Sequence, residues 1–251
     1  MRVKIILFLC LMLCAGVAWG TWGSFQALQS GAAIIWDISA NQVGHWKLND
    51  DAANGIVVDS EGANEGAYNQ NTSAGSVAGK INKALTFNGT SLEISLGTSA
   101  TLDLSVQTIV MWMKTTDNTA GFLYFNPTDF TYDGCFYSIG GSVRFAYDNV
   151  TSWGTADLSL DDNAWHQVVV YSDGTLGNTE FWVDGAPVAG SSTGSQSSDR
   201  TGNVYIGARA GTAIWFDGLI DYVRLLDRKI TDAEVMGLYN GGSGTEADSG
   251  S

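Results

Sequence analysis

The 251-residue chain carries 26 acidic and 12 basic side chains, a formal net charge of −14, with 31 glycines and only 2 prolines. An excess of carboxylates this large excludes a nucleic-acid partner and an anionic membrane surface, which would repel the chain. Abundant glycine without proline points to many tight turns between strands and away from a disordered linker.

In chain order, Arg2 and Lys4 precede the apolar run Ile5 to Val17 and the small-residue pattern Ala18-Trp19-Gly20. This reads as a secretory signal peptide over residues 1–20, cleaved after Gly20; the apolar run is shorter than the roughly 20 residues a bilayer span needs. The mature protein is therefore expected to be secreted, extracellular or periplasmic, with no membrane insertion. Leu11-Met12-Leu13 before Cys14 lacks the small residue of a lipoprotein signal, so lipidation is not expected. Removing Cys10 and Cys14 with the signal leaves Cys135 alone, which precludes an intramolecular disulfide. Residues 21–42 form an N-terminal extension in which Trp22, Phe25, Ile34, Ile35 and Trp36 are too apolar for a free linker.

From residue 43 to 242, β-branched and aromatic runs alternate with Gly, Asn, Asp and Ser clusters, which predicts an all-β, two-sheet antiparallel sandwich. Predicted strands are Ala84 to Asn88, Thr108 to Lys114, Gly121 to Phe125, Phe136 to Ile139, Val143 to Tyr147, Trp165 to Tyr171, Glu180 to Val183, Val204 to Ala208 and Asp221 to Leu226. Gly140-Gly141 and Asp184-Gly185 are hairpin turns that need positive φ. One short helix is predicted where Thr231-Asp232-Ala233-Glu234 has capping-box spacing and Asn240-Gly241 stops it. The small, polar, acidic stretch 243–251 reads as a flexible tail.

Three stretches carry a family resemblance: GHWKLNDDAANGIVVDSEGANEGAY (44–68), NAWHQVVVYSDGTLGNTEFWVDGAPV (163–188) and NVYIGARAGTAIWFDGLIDYVRLLDRKITDAEVMGLYNGG (203–242). In this order and spacing they resemble the bacterial laminin G-like jelly roll, a branch of the concanavalin A-like lectin and glucanase superfamily. The resemblance implies a jelly-roll sandwich in which Trp46, Trp112, Trp165 and Trp182 are core residues, with His166 a packed or surface strand residue.

The resemblance also implies a calcium site, since calcium takes six to eight oxygen ligands from such loops. The matching positions are Asp59, Asn64 and Asp221, with Asp50 as a further ligand. Glu61 and Ala63 depart from the family's loop, and turn formation alone would also explain Asp and Asn there. Hydrolases of the superfamily carry paired acids on one strand; Glu180 to Asp184 reads Glu-Phe-Trp-Val-Asp, with other spacing and no second Glu, so no enzyme is expected. Two histidines and one mature cysteine supply neither a catalytic triad nor a zinc set.

What remains is binding. Aromatic residues in loops between strands point to a glycan ligand: Phe130 and Tyr132 in NPTDFTYDG, Tyr147 and Trp153 in YDNVTSWG, and Trp215. The expectation is a secreted carbohydrate-binding or adhesion module, with an extracellular protein-interaction or structural domain as the alternative and a divergent polysaccharide hydrolase as the third reading.

Overall fold

The computed structural model describes residues 36–119, 121–125, 135–147, 151–173, 178–192, 202–209 and 214–250. Residues 1–35, with the expected signal peptide, lie outside them.

Two antiparallel sheets face each other. Sheet I has eight strands: β2 (Gln42–Trp46), β5 (Ser76–Ala78), β6 (Lys83–Asn88), β8 (Gln107–Lys114), β13 (His166–Ser172), β14 (Glu180–Val183), β15 (Ala186–Val188) and β18 (Asp217–Leu226). Their order is β15-β14-β13-β8-β18-β6-β5, with β2 also pairing β18. Sheet II has nine: β3 (Ile56–Val57), β4 (Gly66–Tyr68), β7 (Ile94–Gly97), β9 (Gly121–Phe125), β10 (Cys135–Ile139), β11 (Ser142–Tyr147), β12 (Thr151–Thr155), β16 (Gly190–Ser192) and β17 (Val204–Ile206), in the order β16-β12-β11-β10-β9-β17-β7-β4-β3. Every predicted strand is present within two residues at each end except at the start of β18, which begins at Asp217. The two hairpin turns have the required positive φ at Gly140 and Gly141 and at Asp184 and Gly185.

The continuous apolar run of β8 follows from burial on both faces. Ile109, Met111 and Met113 enter the core between the sheets, while Val110 and Trp112 join a second cluster on the far side of sheet I. Strand β13 divides the same way, Val168 and Val170 against Val169, and so does β14, Phe181 and Val183 against Trp182. On β18 the ladder shifts between Asp221 and Arg224, where Tyr222 has φ 50°. This bulge sends Tyr222 to the second cluster while Ile220, Val223 and Leu225 stay in the main core. A bulge of this kind re-aims side chains that strict alternation would place elsewhere.

The second cluster is covered by the predicted helix, Asp232–Tyr239, which contributes Val235 and Leu238. Thr231 and Glu234 form the capping box, Asn240 ends the helix in the left-handed region, and Trp182 Nε1 donates to Asp232 at 2.8 Å. Trp46, Trp112 and Trp182 are buried, and Trp165 packs partly buried on the second cluster, so all four are packing residues. His166, half-buried, stands between Asp184 (2.8 Å) and Asp162 (3.1 Å).

The C-terminal stretch is not a free tail. β19 (Ser249–Gly250) pairs with β1 (Trp36–Asp37), and Ile38 N–H donates to the Asp248 carbonyl. The reason is Arg224: wholly buried on β18, its guanidinium donates to Gln42, to Asp248 Oδ1 at 2.6 Å, and to the carbonyls of Glu246 (3.1 Å) and Ala247 (3.3 Å). A buried guanidinium must be met by acceptors, and the polar tail supplies them. Composition registered the polarity of residues 243–250 but not the partner that orders them.

Candidate functional site

The two sheets differ in what covers their outer faces. That of sheet I carries the second apolar cluster, the helix and the C-terminal strap. The outer face of sheet II is defined by register, because residues directly opposite in a ladder share a face. Since Phe136, Val143, Phe145, Val204, Ile206 and Val57 point into the core, their chain neighbours point out.

Two cross-strand rows result. The first runs Ser191, Gly154, Arg144, Tyr137, Phe122 across β16, β12, β11, β10 and β9. The second runs Phe125, Tyr205, Ser95, Ala67, Ile56 across β9, β17, β7, β4 and β3. Arg144, Tyr137, Tyr205 and Ser95 are half-buried, and Ile56 is 49 % exposed. Gly154 makes room for Arg144: a Cβ there would lie 2.9 Å from Arg144 Cγ and 3.4 Å from its Nε, so the side chain lies across the bare glycine. Asn203 Nδ2 reaches the Tyr205 hydroxyl at 3.3 Å. With strands about 4.8 Å apart, the described side chains of these rows offer two tyrosines, a serine hydroxyl and one guanidinium, and none of the ten positions is acidic. Tyrosines offer an apolar ring and a polar tip on one side chain, and the arginine adds several fixed donors.

Of the aromatic residues expected to bind, Phe130 and Tyr132 lie outside the described residues. Tyr147 and Trp153 fall on strands rather than in a loop: Tyr147 ends β11, and Trp153 in β12 is the ladder partner of Phe145, so position 153 belongs to the core-facing row. Trp215 is half-buried and bridges Ala208 just beyond β17. Sequence reading passed over Tyr137, Arg144 and Tyr205. Their signal was a polar-tipped or charged residue between two apolar ones, as in Phe136-Tyr137-Ser138, Val143-Arg144-Phe145 and Val204-Tyr205-Ile206, which marks the outward position of a strand.

The expected calcium ligands occupy two separate settings. Asp59 is buried and accepts four backbone N–H groups: His45 (2.8 Å) and Glu61 (3.0 Å) on Oδ1, Ala63 (3.2 Å) and Asn64 (2.9 Å) on Oδ2. Asn64 is engaged on every side, donating to the Val43 carbonyl, accepting from Thr101 Oγ1 at 2.7 Å, and offering its carbonyl to Trp46 Nε1. Asp50 accepts from Val58 N–H at 3.2 Å, and burial raises its carboxyl above the usual range. Asp221, on the outer side of sheet I, accepts from Ile81 N–H at 2.8 Å, while its Oδ1 has no partner among the described residues. Burial pushes the Asp221 carboxyl up to about 7, against the lowering effect of the nearby Ile81 and Lys80 amides.

As a calcium cradle this set does not fit. A carboxylate has about four lone-pair positions, and those of Asp59 are taken by amides, whereas Asp221 is held by a different turn. Among the described residues no group of three or more His, Cys, Asp or Glu is placed to hold a metal ion. Asp59 and Asn64 instead tie the 59–64 turn to β2 and to Trp46. Glu180 is half-exposed and paired with Lys229.

Comparison with known proteins agrees with this architecture. No curated protein sequence matches the chain. Among solved structures, the binding domain of Paraclostridial Mosquitocidal Protein 1 superposes with a TM-score of 0.63 at 15 % identity, over 80 % of this chain and 52 % of that one. Domain 4 of an extracellular arabinanase from Geobacillus stearothermophilus, solved with arabinotriose, gives 0.56 at 16 % identity, over 78 % of this chain and 97 % of that one. Trypanosoma rangeli sialidase gives 0.59 at 16 % identity over 83 % of this chain, which spans only about a third (34 %) of the sialidase. These likenesses are of fold. The family model described as the concanavalin A-like lectin/glucanases superfamily, in its laminin G branch, matches residues 88–236, more than half of the sequence, and the chain belongs to that superfamily.

Proposed function

We propose that the protein is an exported, non-catalytic carbohydrate-binding module whose ligand lies on the outer face of sheet II. The observation that carries this reading is the pair of cross-strand rows. They place Tyr137 beside Arg144 in one row and Tyr205 in the other, on a sheet face that carries no apolar cluster or helix among the described residues, while the opposite face of the sandwich is sealed by both. A pyranose ring has an apolar C–H face and a rim of hydroxyls. Tyrosine rings suit the first; arginine and tyrosine tips suit the second. A flat row on rigid strands is also preorganised, so little side-chain entropy is lost on binding. The arabinotriose bound to the arabinanase domain of the same fold is consistent with this use. Non-catalytic action is supported by the setting of Glu180, which is exposed and engaged with Lys229, and export by the leader-like residues 1–20.

The test is binding of the protein to a polysaccharide and oligosaccharide panel, followed by titration of Tyr137→Ala, Tyr205→Ala and Trp153→Ala with the best ligand. Losing a ring contact worth about 1 kcal/mol weakens binding roughly fivefold to tenfold. The two tyrosine variants are expected to show this loss with an unchanged unfolding midpoint. If both bind as the parent does while Trp153→Ala does not, the ligand sits elsewhere. If the parent binds nothing in the panel, the carbohydrate reading is wrong.

A further inference from the structure

We propose that the face of sheet II selects sugars that carry a carboxylate, such as hexuronates or sialates, and that Arg144 is the group that reads it; this rests on the carbohydrate-binding reading. The observation is a local reversal of charge. The chain holds 26 acidic and 12 basic residues, yet the two rows contain one cation and no acid. On the opposite side of the sandwich the buried or half-buried arginines have carboxylate partners, Arg224 with Asp248 and Arg228 with Glu234. Arg144 has no such partner among the described residues, although it is half-buried and its stem is fixed over Gly154. In so acidic a chain, an arginine that no described carboxylate meets, on a face that no described helix or apolar cluster covers, is set to receive one from outside.

The chemistry is specific to that ligand. A guanidinium is planar, remains charged at any working pH and matches a carboxylate with two parallel N–H···O bonds, whereas a neutral hydroxyl takes one weaker bond. Tyr137, the ladder neighbour of Arg144, supplies a ring for the same sugar. The negative charge of the whole protein opposes an anionic ligand only at long range. At physiological ionic strength, charges beyond about 8 Å are screened, and the contact with Arg144 decides.

The experiment pairs each carboxylated oligosaccharide (galacturonate, glucuronate and sialate types) with its own methyl ester, and measures affinity for the parent, Arg144→Gln, Arg144→Lys and Gly154→Ala. The parent is expected to prefer at least one acid over its ester by about tenfold or more, the size of a charge-assisted pair. Arg144→Gln abolishes the preference, costing the acid about tenfold and the ester, which loses only a hydroxyl contact, much less; Arg144→Lys keeps part of it, since a point charge lacks the fork. Gly154→Ala, which retains the charge but crowds its stem, lowers the preference at an unchanged unfolding midpoint and covers the case in which the Arg144 variants do not fold. Equal affinity for acids and esters, or a preference that survives Arg144→Gln, overturns the assignment while leaving carbohydrate binding intact. Failure of every glycan to bind overturns both.

Discussion

Truncation after Gly244 puts the most weight on a single structural claim, that residues 245–250 complete the coordination of Arg224. In the intact protein the guanidinium is wholly buried and has Asp248 Oδ1 at 2.6 Å, two backbone carbonyls at 3.1 and 3.3 Å, and Gln42. Truncation leaves only Gln42. Removing the partners of a buried charge costs about 3–5 kcal/mol, or roughly 6–20 °C in the unfolding midpoint of a domain this size. Asp248→Ala alone costs less, about 1–2 kcal/mol, because the Asp248 side chain is 49 % exposed and the two carbonyls remain. Replacing the charge by Arg224→Met in the truncated chain recovers much of the loss, since an apolar side chain needs no acceptors. Urea unfolding followed by tryptophan fluorescence reads all four proteins. A truncated chain that loses under about 1 kcal/mol, or a loss that Arg224→Met does not relieve, refutes the reasoning.

His166 provides a pH signature. Its pKa is raised above 6.5, chiefly by the hydrogen bond to Asp184 and, against burial, by the second bond to Asp162. A raised folded-state value means that the stabilisation is full below the unfolded value and is lost as pH rises through the folded one. The midpoint of the parent is therefore expected to fall, as pH rises above the unfolded value of about 6.5, more steeply than that of His166→Gln; parallel profiles would exclude the clamp. Asp59→Ala strands the buried amides of His45 and Asn64 and the part-buried ones of Glu61 and Ala63; at about 1 kcal/mol or more for each buried amide it is expected to cost at least about 2 kcal/mol in urea unfolding, with Asp59→Asn milder. Because those amides occupy the carboxylate, the parent should unfold at the same midpoint in millimolar calcium and in chelator; a rise with calcium that Asp59→Asn abolishes would show that Asp59 binds metal instead.

Much of the fold was legible because its signals are local. The short apolar run in Thr108 to Lys114, the Gly140-Gly141 and Asp184-Gly185 turns and the Thr231–Glu234 cap each depend on residues within a few positions of one another, and each is present. Short strands such as Ile56–Val57 and Ser249–Gly250 carry too few residues to show a period, and their pairing is decided by partners far along the chain. The same holds for the site. Sequence put Trp153 in a binding loop because aromatic residues among Asn, Thr, Ser and Gly suggest one, but the ladder with β11 places that position opposite Phe145. Asp59, Asn64 and Asp221 read as one ligand set, yet four amides fill Asp59, and the bulge at Tyr222 assigns Asp221 to the covered side of sheet I.

By itself, the sequence determined the all-β class, the antiparallel turns, the capped helix and the superfamily, because propensity, periodicity and turn chemistry act over neighbouring residues. Only the tertiary structure decided which face the described helix and second apolar cluster cover and which residues share the other. Arg144, Tyr137 and Tyr205 come from three strands separated by up to 68 positions, and register alone, fixed by burial of Phe145, Phe136 and Ile206 in the common core, brings them into rows.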